Sequence, residues 1–331
     1  MGIDVSGCID GFVKAIGKNE ILPFLGVYQR LTYSYFFFKK LIKEHQVDFV
    51  VVTGGSTLVP KKMAERTIVY VHYPVDLEVE QRRYLNSWGK RLYIMPWRFI
   101  SRNLDYIKKS TIITNSNYTK DAIRAAWGMD STVIYPPCPQ YTFPLTDKKE
   151  DVICSIGRFT PEKEYETILK IAERMPDRQF ELVGSVAPDR ISYLNAIMKE
   201  APKNVVFHVD ATVEEKIDVL KRSKVLLHGF IGEHFGIALV EAMSAGIIPV
   251  THNSGAAKVD NLVEARFRYE DIDGAIASIT DALGSWNAEM AEKLRENAKK
   301  FSADLFKENF KAFICDWLEL MRIKEHPSEI R

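Results

Sequence analysis

Short apolar runs and longer stretches of helical composition alternate along most of this chain. In the first half the apolar runs are Val47–Thr53, Thr67–Tyr73, Thr111–Asn115 and Thr132–Tyr135. In the second they are Val152–Gly157, Gln179–Val183, Val205–His208, Lys224–Phe230 and Ile247–Val250. Continuous rather than alternating apolarity predicts strands buried on both faces, as in parallel sheets covered by helices. The intervening stretches predict helices over Leu31–His45, Tyr118–Trp127 with Ser116 as N-cap, 190–200, Val213–Arg222, Ile237–Ala245 and Gly274–Leu283. A further helix runs to Arg174, with Thr160 as its N-cap and Pro161 at its first position. The fold class is therefore α/β, with Rossmann-like βα units.

Pro136-Pro137-Cys138-Pro139, Pro144 and the polar run 146–151 form a linker that interrupts this rhythm. It divides the chain into 1–145, 146–300 and a terminal helix over 301–331. In that helix Leu305, Phe306, Phe310, Phe313, Ile314, Trp317 and Leu318 recur at three-and-four spacing. A length of 331 residues suits two domains, each with its own core.

The densest unit is Leu226–Asn253, LLHGFIGEHFGIALVEAMSAGIIPVTHN. It is a strand, a turn over Gly232–Gly236, a helix stopped by Gly246, and a second strand, so the two strands should lie parallel. A glycine-bracketed turn entering a helix presents unpaired N–H groups and the positive end of a dipole, which suits phosphate or hydroxyl groups. Glu233 stands in that turn and Glu241 among apolar residues of the helix, about 12 Å apart at helical rise. Such carboxylates are too far apart to share a proton but can grip two parts of an extended ligand. Arg158 and Lys163 flank the strand-to-helix turn at 157–163, two cations beside another helix start. His72 ends the Thr67–Tyr73 strand, where open parallel sheets hold their ligands, or else is bonded within a packed turn. Asn253-Ser254-Gly255 opens another anion-compatible turn, and Asp260 is expected to cap the next element along the chain. Asp271-Ile272-Asp273 has the look of a metal-binding pair of acids but reads better as the acidic first turn of a helix, so no metal site is expected.

Charge changes the picture in one place. Overall, 45 basic residues balance 44 acidic ones, so no global field draws the chain to nucleic acid. Between Arg82 and Lys109, however, eight Lys and Arg residues face the single acid Asp105, with six aromatic residues interleaved. This is a solvated helix with an apolar stripe, or a segment lying on an anionic membrane surface. Single-stranded nucleic acid would accept the same pattern, but no nucleic-acid motif accompanies it. Cys8, Cys138, Cys154 and Cys315 have no metal-like spacing and read as buried thiols of a reducing compartment. No apolar run approaches the length of a membrane span. The expected location is cytoplasmic, either free or peripheral on the cytoplasmic face of a membrane.

The E-x7-E spacing in GEHFGIALVEAMSAG resembles the signature of the family 4 retaining glycosyltransferases, which have the two-domain GT-B fold. With YVHYP at 70–74, NSNYT at 115–119, VIYPPC at 133–138 and HFGIALVEAMSAGIIPVTHNSG at 234–255, the chain resembles the GDP-mannose-dependent α-1,2-mannosyltransferases that extend dolichol-linked oligosaccharides. The resemblance spans roughly residues 47–320. It implies a nucleotide-sugar donor (GDP-mannose, by the resemblance alone), a glycan or lipid-linked acceptor, and a terminal helix crossing back to the first domain. It also implies residue roles. His72 would face the donor sugar, Arg158 and Lys163 would clamp the diphosphate, and Glu233 would accept sugar hydroxyls. Glu241 would hold the ribose, the amides of Phe235, Gly236 and Ile237 would meet the departing phosphate, and Val209 and Asp210 would lie near the base. The carboxylates lack the close pairing of retaining glycosidases, which favours front-face transfer without a covalent intermediate and with no metal cofactor. Family members open with a strand and a Gly-rich loop, and residues 1–20 do not read as that unit. Either the first domain lacks it, or the recorded start is late, or the chain is trimmed. Two other functions stay open: a nucleotide-sugar-binding protein without transfer activity, and a GT-B relative with other chemistry, an epimerase or phosphorylase.

Overall fold

The computed structural model describes residues 26–45, 47–53, 59–74, 95, 105–141, 143 and 149–325. The opening segment, and most of the basic-aromatic stretch 82–109, lie outside them. Helix α1 (Gly26–Glu44) precedes β1 (Val50–Val52) and β2 (Thr67–Val71); α2 (Asp105–Lys109), β3 (Thr111–Thr114), α3 (Asn117–Trp127) and β4 (Thr132–Val133) follow. These strands form a sheet in the order β1-β2-β3-β4, with β1 and β2 parallel. Its core gathers Val50, Val52, Val69, Val71 and Ile112, all from the apolar runs, with Met63 and Ile123 from outside them.

The second sheet has the order β10-β9-β8-β5-β6-β7, every pair parallel. Its elements are β5 (Glu150–Ile156), α4 (Tyr165–Glu173), β6 (Gln179–Gly184), α5 (Ile191–Glu200), β7 (Val205–Val209), α6 (Val213–Arg222) and β8 (Ser223–His228). After these come α7 (Ile237–Ser244), β9 (Ile248–His252), α8 (Gly255–Val259), β10 (Arg268–Tyr269), α9 (Ile272–Ser285), α10 (Ala288–Ala298) and α11 (Ala303–Glu325). The strand order runs one way from β5 and reverses at β8, so a crevice forms at the carboxyl ends of these two neighbours, the usual ligand position in such sheets.

Local sequence explains the helix starts. Thr212 and Glu215 form a reciprocal capping box at α6. The Asp271 carboxylate accepts from Gly274 N at α9, and Asp273 pairs with Arg174 at 2.5 Å, so both acids of the Asp-Ile-Asp run belong to a helix start. Ser116 caps α3 by accepting from Thr119 N at 3.0 Å.

Three expectations need correction. Residues Pro161–Lys163 form a 3-10 turn rather than the first turn of a helix, and Thr160 makes no side-chain cap bond. Glu164 then takes a left-handed conformation (φ 53°) and α4 begins only at Tyr165. Asp260 does not cap the element after it; its carboxylate accepts instead from the backbone of Asn117 and Tyr118, at the start of α3. Cys138 and Cys154 are buried, but Cys315 is exposed, because it falls on the solvent face of α11.

The described chain divides into two compact units. One holds the residues up to Ile113 with Ala122–Thr132; the other holds Thr114–Asp121 with Val133 onward. Among the described residues no helix is long and apolar enough to cross a membrane.

Candidate active site

The crevice between β5 and β8 is built from two turns that touch. After β5, Gly157 and Arg158 lead into the 3-10 turn, and the left-handed Glu164 redirects the chain into α4. That conformation costs a non-glycine residue about 1–2 kcal/mol. The turn packs closely on the other one: a Cβ on Gly229, just past β8, would lie 2.6 Å from the Lys163 carbonyl oxygen. The result places the Lys163 ammonium 3.2 Å from Glu233 Oε2 and over the Phe230 ring.

His228, the last residue of β8, reaches the same carboxylate oxygen through Nε2 at 2.9 Å. The third partner is His234 N, 3.1 Å from Oε1. Burial pushes the Glu233 carboxyl up, but the His228 hydrogen bond and the Lys163 charge outweigh it and hold the group well below the usual carboxylate range. Burial pushes His228 down, so its ring is neutral at pH 7. An ionised carboxylate only accepts, so Nε2 carries the proton of that neutral ring.

Both shifts have the same sign in stability. A histidine and a carboxylate with depressed native pKa values stabilise the fold above their ordinary values and lose that contribution as pH falls. Unfolding free energy is therefore expected to decline from about pH 6.5 downward, where an unfolded histidine protonates, and to fall further through the carboxylate range. Denaturation of wild type and His228→Gln across pH 4–7.5 checks this: the variant should lack the upper part of the decline. Parallel curves would contradict it.

The helix after Glu233 supplies the remaining chemistry. Gly236 is the N-cap of α7 at φ 99°, and a Cβ there would meet Leu239 Cδ1 at 2.6 Å. No side chain caps this end, and the amides of Phe235, Gly236 and Ile237 have no acceptor among the described residues. Phe235 turns its own ring inward against Tyr135 and Phe301, whereas Ile237 is exposed.

Glu241, one turn further along α7, is buried, and its Oε1 accepts from both Tyr141 OH and Lys216 Nζ at 2.5 Å. Its apolar helix surroundings thus contain two protein donors, while Oε2 takes no hydrogen bond from the described residues. Glu241→Ala is expected to lose about 1.5–3 kcal/mol of stability through these charged hydrogen bonds, and to weaken donor binding as well. Thermal unfolding and calorimetry check both parts; unchanged midpoint and affinity would contradict them.

The other candidates fall as follows. Arg158 is exposed and takes no carboxylate partner among the described residues. Val209 ends β7, and Asp210 beyond it is left-handed (φ 51°), with its carboxylate accepting from Val186 N at 3.1 Å. His72 lies exposed just past β2 in the other unit, its ring edge-on to Tyr70 at 5.2 Å. Among the described residues no cluster of His, Cys, Asp or Glu is set to hold a metal ion. His228 is the main residue that sequence reasoning missed. Its signal was the one used for His72, a histidine at the carboxyl end of a strand.

Comparison with known proteins adds to this geometry. Residues 142–301, the stretch holding both turns, match the family described as glycosyl transferases group 1. This stretch therefore resembles a group 1 glycosyl transferase domain. Among curated relatives, the GDP-Man:Man(3)GlcNAc(2)-PP-Dol alpha-1,2-mannosyltransferase of Xenopus laevis is 31% identical over 231 residues, covering 61% of this chain and 47% of that protein. The mouse protein of the same name is 29% identical over 298 residues, covering 76% and 60%. The chain thus spans about half to three-fifths of these relatives' length. Solved structures that resemble it include a glycosyltransferase from Rickettsia africae (TM-score 0.64, 13% identity, 92% of this chain and 84% of that one). A sucrose-phosphate synthase from Thermosynechococcus elongatus also matches (TM-score 0.69, 15% identity, 90% and 81%). The fold, α/β with two parallel-strand sheets, is the GT-B fold of these structural neighbours.

Proposed function

We propose that this chain is a retaining hexosyltransferase that moves mannose from GDP-mannose to a lipid-linked oligosaccharide. The observation that carries the reading is the Glu233 carboxylate, held ionised by Lys163 and His228 beside the unpaired amides of Phe235–Ile237. The named activity of the relatives supports the choice of donor and acceptor.

Departure of a nucleoside diphosphate builds negative charge on phosphate while the sugar gains positive character. Arg158, Lys163 and the α7 amides present fixed positive groups to the first. Glu233, already pointed by its three donors, accepts hydroxyl hydrogen bonds from the sugar. Glu241 offers Oε2 to the ribose, and Val209 and Asp210 border the base. For His72, in the other unit, the family resemblance alone supports a role at the sugar. The leaving phosphate draws the proton from the acceptor hydroxyl as the new bond forms on the same face. The chain works at the cytoplasmic surface of a membrane, where 82–109 would meet anionic lipid. This segment lies mostly outside the described residues.

The test is transfer of labelled sugar to a lipid-linked glycan, comparing GDP-mannose with UDP-glucose and UDP-N-acetylglucosamine. Mannose incorporation in α-1,2 linkage, persisting in EDTA because Arg158 and Lys163 carry the counter-charge, is the expected result. Binding of a donor without turnover would replace the transferase by a binding protein. A different product would assign other chemistry to the same fold.

A further inference from the structure

We propose that Asp260 is a positioning residue for the transfer reaction, holding the loop of Glu233 in place through the first turn of α3. This rests on the reading above that Glu233 engages the donor sugar.

The loop Gly232–Gly236 is backed on two sides. On one, Gly232 N donates to Ser254 Oγ and Ala256 N donates to the Glu233 carbonyl, each at 2.8 Å. These partners stand at the start of α8. On the other side is the first turn of α3, from the NSNYT segment. Ser116 Oγ lies 2.5 Å from the His234 carbonyl oxygen, and a Cβ on Gly232 would meet Tyr118 OH at 3.4 Å. Ser116 is fully buried and has one hydroxyl proton. Since Thr119 N already donates to its oxygen, that proton goes to its shortest contact, the carbonyl of His234.

Two helix ends far apart in sequence therefore clasp the loop, and one carboxylate ties them together. Asp260, the residue that ends α8, accepts at Oδ1 from Asn117 N (2.7 Å), Asn117 Nδ2 (2.9 Å) and Tyr135 OH (2.9 Å). Its Oδ2 accepts from Tyr118 N at 3.1 Å. Ser116 already caps α3 locally, so the helix has its ordinary cap without Asp260. What Asp260 adds is a tie from the far end of the five-residue α8 to the start of α3, which fixes the two helices against each other and so fixes the seat of the loop between them. Burial, with the Asp260 charge and hydrogen bond adding to it, pushes the Tyr135 phenol up to about 12, an optical marker of the tie.

The experiment uses the full chain and the variants Asp260→Ala, Asp260→Asn and Ser116→Ala. Asn matches Asp in size but is neutral, and its NH2 must face either Tyr118 N or the three donors at Oδ1, so it should loosen the tie as Ala does, to a smaller degree. In the Asp260 variants kcat is expected to fall about 10–100-fold, as for a misplaced reacting group, with donor KM changing less than about threefold. Amide hydrogen exchange of Gly232, His234 and Ala256, the hydrogen-bonded amides in and against the loop, should quicken about tenfold or more in all three variants, while that of β6 stays as in wild type. The Tyr135 phenol, identified by its loss in Tyr135→Phe, should titrate lower in the Asp260 variants. Unchanged exchange at these three amides, or an equal rise throughout the fold, would overturn the proposal. The exchange and titration arms need no donor. If wild type turns over no nucleotide sugar, the transferase reading fails, and these two arms alone decide whether Asp260 positions the loop.

Discussion

Glu233→Gln is expected to lower kcat by about 10²–10³-fold, the scale seen when one preorganised polar contact to a transition state is removed. The isostere keeps the volume and removes the charge. The carboxylate receives His228 Nε2 and Lys163 Nζ on one oxygen and His234 N on the other. An amide has only one accepting atom, so whichever way it turns, its NH2 group faces a donor. The side chain then loses both the negative charge that the sugar's positive character calls for and the geometry that aims it. Donor affinity should change much less than kcat, because the diphosphate contacts lie on other groups. Steady-state kinetics with saturating acceptor check this, and activity within threefold of wild type would remove Glu233 from the chemistry.

The second large effect is expected at Gly255. It adopts φ 63°, and an added Cβ would lie 2.3 Å from the Glu233 carbonyl oxygen and 2.6 Å from its amide nitrogen. Both obstacles are backbone, so neither can rotate away. Gly255→Ala must displace the Glu233 loop or distort the start of α8. A displacement near 1 Å at a reacting group can cost about 10²-fold in rate. The left-handed conformation adds about 1–2 kcal/mol of strain for alanine. Activity and thermal midpoint should therefore fall together, whereas Gly284→Ala, with nothing within 4 Å of its added Cβ, leaves both near wild type. Wild-type activity in Gly255→Ala would contradict the close approach.

Much of this was legible in sequence, and the exceptions share a cause. Continuous apolar runs such as Val152–Gly157 announced buried parallel strands, and β5 occupies Glu150–Ile156. The Asp-Ile-Asp run was readable as a helix start because capping is a local interaction. The turn after β5 was misread for a physical reason. Thr160-Pro161 is a good helix start by itself, but the left-handed Glu164, in a turn packed backbone-close against Gly229, ends the 3-10 turn and delays the helix to Tyr165. Asp260 was assigned to its own neighbourhood, whereas its partners are 125 to 143 positions away in sequence. The donors to Glu241, Tyr141 and Lys216, are distant in the same way and carry no local signature. His228 was overlooked because it stood inside an apolar run and was absorbed into the strand reading.

The central claim is that the crevice between β5 and β8 binds a nucleoside-diphosphate sugar through Lys163. Calorimetric titration of GDP-mannose into wild type and Lys163→Met tests it most directly. The account predicts saturable one-to-one binding to wild type and at least about tenfold weaker binding to the variant, a difference near 1.4 kcal/mol. Equal affinities in two folded proteins would contradict it.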